Sequence, residues 1–276
     1  MATANPTAPA AGFRLLHLTD PHLFADSGAE VYGVNTADSL AQVLAQAVAE
    51  PEGRPDAILV TGDIADDLSA AAYGRFRATL QSAGVPVYCL PGNHDDSTLM
   101  LQQLGVAGFQ CSGRGRLDAW GLALIDSHVP GEPHGMISPA EFARLDGHLH
   151  AMRDLPVLLA VHHPPAPVGS PWIDAIGLRS AVELLVRLER FPNVHAIVSG
   201  HVHQAFETRI GALRVLATPS TCAQFTPRTL DCVIDSRPPG YRWLQLGADG
   251  RFDTEVKWLR DWAPSSVRAP AAGARR

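Results

Sequence analysis

The sequence predicts an α/β protein, in which β-strands and α-helices alternate along the chain. Short apolar runs, such as residues 57–61, are followed by segments whose apolar residues recur at helical spacing. These runs lack a strict polar–apolar alternation, as expected for strands that are covered on both faces. With 276 residues, of which 46% are hydrophobic and 18% charged, the chain can bury a sizeable core.

The strands are predicted from the apolar runs, starting with residues 13–18 as the first buried strand. Residues 116–126 form a hairpin-like stretch around the run 119–125. The remaining strands are predicted at 57–61, 85–90, 157–161, 196–199 and 213–217, with shorter β segments at 241–246 and 252–258.

The first predicted helix, residues 36–49, carries five apolar side chains on one face, and Asn35 or Thr36 can cap its start. The second helix, residues 69–82, is ended by Gly84. A short helix is expected around residues 96–104.

A capping box predicts the start of the next helix, because Ser138 is followed by Pro139 and by Glu141 three residues on. This helix runs to about residue 152. The loop 163–177 is rich in Pro and Gly, and a last helix is expected at about 179–190.

Charge and cysteine content argue against several classes of protein. The net charge is −6, whereas a protein that tracks nucleic-acid phosphates is usually basic, so we expect no nucleic-acid partner. No stretch reaches the ~18 apolar residues of a membrane span, and the start lacks a secretory signal. The cysteines show no CxxC spacing and are expected to be reduced thiols of a cytoplasmic protein: Cys89, Cys111, Cys222 and Cys232.

We predict a single domain over residues 12–262, because no repeat and no long linker divides the chain. Residues 1–11 and 263–276 are expected to be flexible tails, the second of them rich in Ala, Pro, Ser and Arg. The sequence leaves the oligomeric state open.

Polar side chains follow five of the predicted strands at their carboxyl ends. Ligand sites in open α/β sheets lie outside these ends, so we expect the side chains to converge. Each motif is weak alone, but five in order, each just after a strand, indicate a functional site. The motifs are Asp20-Pro21-His22, Gly62-Asp63, Gly92-Asn93-His94-Asp95, His162-His163 and Gly200-His201-Val202-His203.

Seven of these residues can act as metal ligands through nitrogen or oxygen. Seven such ligands without a cysteine are too many for one cation and suit two ions such as Mn, Fe or Zn. One carboxylate would then have to bridge. Two ions roughly 3.5–4 Å apart can clamp the attacking and leaving oxygens of a phosphoryl group. The candidate ligands are Asp20, His22, Asp63, Asn93, His162, His201 and His203.

This motif series resembles that of the calcineurin-like metallophosphoesterase superfamily, over residues 20–203. A closer resemblance is to its bacterial 3′,5′-cyclic-AMP phosphodiesterases, the class III cyclic-nucleotide enzymes. The resemblance implies an αββα sandwich of two mixed β-sheets flanked by helices. The closer resemblance is carried by Thr19-Asp20-Pro21-His22-Leu23-Phe24, Gly33-Val34-Asn35-Thr36, Thr61-Gly62-Asp63, Leu90-Pro91-Gly92-Asn93-His94-Asp95, Pro133-His134-Gly135, His162-His163-Pro164, Ala217-Thr218-Pro219-Ser220-Thr221-Cys222 and Pro239-Gly240.

By position, the resemblance implies two metal sites that share Asp63, with Fe or Mn as the expected ions and Zn as an alternative. Pro21 stands where Ser or Thr is common in the family. The first metal would be held by Asp20, His22, Asp63 and His203. The second would be held by Asp63, Asn93, His162 and His201.

The expected reaction is hydrolysis of 3′,5′-cyclic AMP to 5′-AMP by hydroxide formed at the two metals, which would regulate the level of the nucleotide. His94 is the expected proton donor or charge stabiliser at the leaving 3′-oxygen, and Asp95 is expected to hold His94. Asp66 and Asp67 are interpreted as capping or supporting groups, and His17 as a satisfied core histidine.

Five residues are candidates for contact with the substrate: Asn93, His94, His134, His163 and Trp172. His134 resembles a family position near the phosphate, although a plain loop histidine fits its surroundings equally well. Trp172 could cover the base by stacking or could serve packing alone. The partner is therefore expected to be a small cyclic nucleotide.

Two alternatives stay open at this point. The metal core is indifferent to the alcohol, so a broader phosphodiesterase acting on glycerophosphodiesters or 2′,3′-cyclic nucleotides fits as well. A catalytically inactive scaffold of the same superfamily is disfavoured, since all motifs are intact. Protein phosphatases of the superfamily carry an arginine shortly after Gly-Asp, whereas residues 64–68 of this chain contain none.

Overall fold

The computed structural model describes residues 12–262. Within this range the predicted apolar runs form β-strands. In chain order the strands are β1 (Phe13–Leu18), β2 (Glu30–Val31), β3 (Val34–Asn35), β4 (Ala57–Val60), β5 (Val87–Cys89), β6 (Phe109–Gln110), β7 (Gly113–Leu117), β8 (Trp120–Ile125), β9 (Val157–Val161), β10 (Val194–Ser199), β11 (Phe206–Ile210), β12 (Leu213–Ala217), β13 (Gln224–Phe225), β14 (Ile234–Asp235), β15 (Gly240–Leu246) and β16 (Phe252–Trp258).

The helices begin where the sequence carries capping residues. Asn35 Oδ1 accepts a hydrogen bond from the backbone of Asp38 at 2.9 Å, and Ser138 Oγ accepts one from the backbone of Glu141 at 3.1 Å. Both predicted helix starts are thereby confirmed. The helices are α1 (Thr36–Val48), α2 (Ala70–Gln81), α3 (Ser97–Leu104), α4 (Pro139–Ala151), α5 (Pro171–Asp174) and α6 (Ala181–Leu188).

Two six-stranded mixed sheets dominate the described residues. Their strand orders are β16-β15-β1-β4-β5-β6 and β11-β12-β10-β9-β8-β7. β1, β4, β5 and β6 run parallel in the first sheet, and β8, β9, β10 and β12 run parallel in the second. Parallel neighbours end at the same edge of a sheet, so the polar motifs that follow them share an edge.

Alternate residues of each strand face opposite layers, as the strand period requires. Leu16 and Leu18 of β1 pack with α1, α2 and α3, whereas Leu15 packs in the apolar layer between the sheets with Leu158 of β9. Leu159 packs instead with α4 and α6. The order of layers is helix, sheet, sheet, helix, which confirms the αββα sandwich.

β11 and α5 are two of the elements that the sequence did not predict. β11 pairs antiparallel with β12 at the edge of the second sheet, where Glu207 and Arg209 are exposed. The loop 163–177 contains the single-turn helix α5, which starts at Pro171, a residue whose φ suits the first turn of a helix.

Within the described residues, no helix is long and apolar enough to cross a membrane. All four cysteines carry free thiols: Cys89, Cys111, Cys222 and Cys232. The predicted tails, 1–11 and 263–276, lie outside the described range, and the single-domain organisation stays a prediction.

Candidate metal centre

The side chains that follow the parallel strands of both sheets meet at one end of the sandwich. Ligand atoms of Asp20, His22 and His203 lie within 4.8 Å of one another, and those of Asp20, Asp63 and His162 do the same. Side chains from the first sheet therefore face side chains from the second, as the strand-end motifs predict.

The first group of ligand candidates, here the Asp20 group, consists of Asp20, His22 and His203. The Nε2 atom of His203 lies 3.4 Å from Asp20 Oδ1 and 3.1 Å from His22 Nε2. All three side chains are buried, with exposed fractions of 0 to 5%. Two imidazole nitrogens and one carboxylate oxygen thus converge on one point.

The second group, here the Asn93 group, consists of Asn93, His162 and His201. Asn93 Oδ1 lies 3.1 Å from His162 Nε2 and 3.0 Å from His201 Nδ1. Its amide oxygen is a neutral hard ligand, and the two imidazoles are borderline ligands, a mixture that suits Mn, Fe or Zn.

Asp63 lies between the two groups. Its Oδ2 atom is 3.8 Å from His22 Nε2 and 3.4 Å from His162 Nε2. Its Oδ1 atom accepts a hydrogen bond from the backbone of His94 at 2.9 Å, which fixes the carboxylate plane. Asp63 thus lies beside a histidine of each ligand group.

Backbone and side-chain acceptors orient three of the imidazoles. The Nδ1 atom lies 3.0 Å from Asp66 Oδ1 in His22, 2.6 Å from the Thr61 carbonyl in His162, and 2.8 Å from the Ala223 carbonyl in His203. A neutral imidazole with its proton on Nδ1 keeps a lone pair on Nε2. Facing lone pairs repel unless a cation lies between them, so these residues fit a metal centre.

The backbone at this centre is strained. Asp20, His22, Asp63, His201 and His203 have φ angles of 51°, 45°, 50°, 68° and 48°. This left-handed region is uncommon for residues other than Gly, and such residues cluster at functional sites. The sharp turns aim side chains back across the strand ends.

Two glycines permit the close approach of these loops. A Cβ atom on Gly92 would lie 2.1 Å from Asp63 Oδ1, and one on Gly200 would lie 2.5 Å from Asp20 Oδ2. Any larger residue at either position would displace a ligand candidate.

Charge is concentrated at the centre. Burial raises the pKa of Asp63, but His162 and His94 outweigh it and hold that pKa well below the usual range. Burial lowers the pKa of His162, but Asp63 and Asp20 raise it to about 9. The buried carboxylates therefore stay ionised and attract cations.

Comparison with known proteins agrees with this arrangement. The family model for calcineurin-like phosphoesterases matches residues 13–205. The chain belongs to the calcineurin-like phosphoesterase family. The family resemblance expected from the motifs is thereby confirmed.

Relatives within this phosphoesterase family span almost the whole chain. A protein of Escherichia coli K12 named 3′,5′-cyclic adenosine monophosphate phosphodiesterase CpdA is 40% identical over 257 residues, which is 93% of each chain. The protein of the same name from Pseudomonas aeruginosa is 37% identical over 267 residues, or 94% of each chain. A dimetal phosphatase from Danio rerio shares the fold, with a TM-score of 0.63 at 14% identity, covering 91% of this chain and all (100%) of that one.

In this phosphoesterase, Asp66 and not Asp95 holds His94. Asp66 Oδ1 lies 2.9 Å from His94 Nδ1 and 3.0 Å from His22 Nδ1. The Asp66 carboxylate therefore contacts a ligand candidate of the Asp20 group and the expected proton donor at once.

The expectation that Asp95 orients His94 is wrong. The Asp95 carboxylate accepts hydrogen bonds from the backbone of Ile64, Ala65 and Gly92 at 2.9 to 3.1 Å and from Tyr73 Oη at 3.0 Å. It lies under the loops and ties two of them together. Asp95 was expected to contact His94 because it follows it in sequence, but consecutive residues of a turn point in different directions.

His163 is also poorly placed for substrate contact. It is fully buried, with Nδ1 2.8 Å from Ser127 Oγ and Nε2 3.3 Å from the Pro133 carbonyl. Its ring packs 4.5 Å from that of His201, so it supports a ligand candidate instead. His134 is buried as well, with Nδ1 3.3 Å from Glu132 Oε2, and its contact with phosphate stays a prediction.

Trp172 belongs to α5 and packs into an apolar cluster with Val168 and Val202. Its ring meets Phe225 edge-on at 5.0 Å, and Phe225 in turn stacks on His203 at 4.4 Å with an angle of 17°. This placement favours packing over base stacking for Trp172. Phe225 was not predicted from the sequence, because no motif marks an aromatic residue that supports a distant histidine.

A buried chain of hydrogen bonds leads from the core to Asp20. Thr218 Oγ1 lies 2.7 Å from His17 Nδ1, and His17 Nε2 lies 2.9 Å from Thr61 Oγ1. Thr61 donates to Thr19 at 2.8 Å, and Thr19 donates to Asp20 Oδ2 at 2.6 Å. His17 is thus a satisfied core histidine, as expected, and the chain fixes the Asp20 carboxylate.

Proposed function

We propose that this protein is a dinuclear-metal phosphodiesterase that hydrolyses 3′,5′-cyclic AMP to 5′-AMP. The position of Asp63 carries the proposal, because its Oδ2 atom faces both His22 of one ligand group and His162 of the other. A carboxylate between two such groups is suited to binding a pair of ions.

The Asp20 group and the Asn93 group would each hold one ion, with Asp63 shared. Fe and Mn fit these mixed nitrogen and oxygen ligands, and Zn is an alternative. When bound, two such ions supply positive charge for the phosphoryl oxygens and lower the pKa of a coordinated water. The carboxylates and oriented imidazoles of the chain hold this charge in a fixed place.

His94 would give its proton to the leaving 3′-oxygen. Its side chain is 42% exposed and therefore reachable by a substrate, while Nδ1 faces Asp66. Burial lowers the pKa of His94, but Asp63 and Asp66 raise it to about 9. Bound cations would lower this pKa again, towards the range that suits a general acid near neutral pH.

The reaction would proceed by direct attack of water on phosphorus. The bond between phosphorus and the 3′-oxygen breaks, and the 3′-oxygen takes the proton from His94. The attacking water loses a proton to solvent, from which His94 is reprotonated, and 5′-AMP leaves. Hydrolysis in oxygen-18 water is expected to place one label in the product phosphate.

The choice of cyclic AMP is supported by the names of the relatives from E. coli and P. aeruginosa, at 40% and 37% identity over nearly the full chain. A cyanobacterial relative from Nostoc, named a 3′,5′-cyclic-nucleotide phosphodiesterase, is 32% identical and covers 88% of this chain. A small nucleotide is also compatible with the net charge of −6.

The test is turnover of a substrate panel by protein reconstituted with Mn²⁺ or Fe²⁺. The panel holds 3′,5′-cyclic AMP, 3′,5′-cyclic GMP, a 2′,3′-cyclic nucleotide, a glycerophosphodiester and an aryl phosphodiester. We expect cyclic AMP to have the highest kcat/KM. If cyclic AMP is untouched while another diester turns over well, the substrate assignment is wrong and only the reaction class survives.

A further inference from the structure

Two thiols face each other beside the strand that leads into the centre. Cys89 is the last residue of β5, and its Sγ atom donates a hydrogen bond to Cys111 Sγ at 3.5 Å. β5 and β6 pair in parallel with Tyr88 opposite Gln110, so the next residues of the two segments are neighbours across the sheet. The remaining thiols, of Cys222 and Cys232, are free as well.

A small cavity borders one thiol of this pair. It has a volume of about 90 Å³ and is lined by Cys111 together with Pro91, Ser97, Asp126 and Arg144, among others. A water molecule needs only about 10–15 Å³ by the same measure. Hydrogen peroxide therefore fits beside Cys111, whereas Cys89 does not line the cavity and has no exposed surface.

The hydrogen bond makes the two thiols unequal. Donation from Cys89 lowers the pKa of Cys111 and outweighs the effect of burial on it. The same bond, together with burial, raises the pKa of Cys89 well above the usual range. Cys111 is consequently the better nucleophile and faces the cavity.

We propose that Cys89 and Cys111 form a reversible oxidation site, at which hydrogen peroxide converts the two thiols into a disulfide. Cys111 attacks the peroxide, the O–O bond breaks, and a sulfenic acid forms as one water leaves. Cys89 sulfur then attacks the sulfenic sulfur, the S–S bond forms, and the hydroxyl leaves as water with the proton of Cys89. Two thiols lose two electrons and two protons, and one hydrogen peroxide becomes two waters.

The position of Cys111 allows the sulfurs to approach. β6 has only two residues and lies at the edge of its sheet, and Cys111 follows its last residue. A segment at the edge can shift without breaking the hydrogen bonds between the central strands of the sheet. Neighbouring strands lie about 4.8 Å apart, which is within the usual span of Cα atoms joined by a disulfide, about 4.4–6.8 Å.

The test is mass spectrometry of the metal-loaded protein after treatment with hydrogen peroxide under native conditions. We expect the intact chain to lose two hydrogens, a non-reduced digest to join the Cys89 and Cys111 peptides, and dithiothreitol to reverse both changes. Oxidation of the variant Cys89→Ala is expected to stop at the sulfenic acid of Cys111. A cyclic 1,3-dione probe, which reacts with sulfenic acids, should therefore label Cys111. Cys232→Ser serves as the matched control and is expected to form the bond like the parent chain.

Either of two results would overturn the proposal. One is no loss of two hydrogens at any peroxide concentration that leaves the fold intact by circular dichroism. The other is a disulfide that involves Cys222 or Cys232, or a dione label on those residues in place of Cys111.

Discussion

The Asp66 carboxylate lies 2.9 Å from Nδ1 of His94. The same oxygen is 3.0 Å from Nδ1 of His22, so one side chain joins a metal-ligand candidate to the expected proton donor. Asp66 is 19% exposed and His94 42% exposed at the side chain. The pair therefore sits at the rim of the centre, where a substrate can meet His94 while Asp66 fixes its ring.

Asp66→Asn is expected to lower kcat by ~10–100-fold, since partners of this kind orient a working histidine. The carboxylate stabilises the imidazolium, so its loss lowers the pKa of His94. The alkaline limb of the pH profile of kcat should then move to lower pH. Asp67→Asn is the matched control, because Asp67 bonds to Ala25 and Ser69 and not to His94 or His22. An unmoved alkaline limb in Asp66→Asn would speak against the pair.

His94→Ala is expected to keep both metals bound and to reduce turnover by ~10²-fold or more. Asn93→Ala should instead weaken the metal of the Asn93 group, because its Oδ1 atom faces both histidines of that group. Metal content by plasma mass spectrometry and kcat with cyclic AMP separate the two effects. Loss of metal in His94→Ala, with full metal in Asn93→Ala, would reverse the roles.

Asp95→Asn is expected to lower the free energy of unfolding. The carboxylate accepts bonds from three backbone amides and from Tyr73, and an amide cannot accept all of them. A buried donor left without its partner costs about 1–3 kcal/mol. Urea unfolding should give a loss of this size for Asp95→Asn and a smaller one for Tyr73→Phe. Equal stability of Asp95→Asn and the parent protein would contradict the bracing role.

His17 is expected to make the fold sensitive to acid. Burial and the nearby Arg242 lower the pKa of His17 to about 3 in the folded protein. Between about pH 6.5 and pH 3 the unfolded chain takes up a proton that the folded chain refuses, so stability falls as pH falls, by about 1.4 kcal/mol per pH unit. Above that range the residue has no such effect.

The check on His17 is the free energy of unfolding as a function of pH for the parent protein and for His17→Gln, both freed of metal by a chelator. The variant lacks the titrating group, so its curve should fall less steeply below pH 6.5 by about 1.4 kcal/mol per unit. Parallel curves for the two proteins would contradict the linkage.

Much of the centre was predictable because its residues follow strands. The apolar run of β4 located Asp63, and that of β9 located His162, since parallel strands deliver their ends to one edge. The αββα order itself came from the family resemblance. The spacing of apolar residues predicted only an α/β protein.

The supporting contacts were not predictable from the sequence, for physical reasons. Asp66 reaches His94 in a loop where Asp63 has a φ of 50°, a left-handed conformation that the sequence does not announce. Asp95 follows His94 directly but points under the loop to the backbone of Ile64. Such directions depend on turn geometry, and residue identity alone does not fix them.

The count of metal ions in the active protein distinguishes a dinuclear centre from a mononuclear one. Protein reconstituted with Mn²⁺ is dialysed, its metal is measured by plasma mass spectrometry, and its hydrolysis of cyclic AMP is followed before and after chelation. We expect two ions per chain, loss of hydrolysis on chelation, recovery on adding Mn²⁺, and loss of both ions in Asp63→Ala. One ion per chain at full activity, or hydrolysis that survives complete chelation, would contradict a centre built around a shared Asp63.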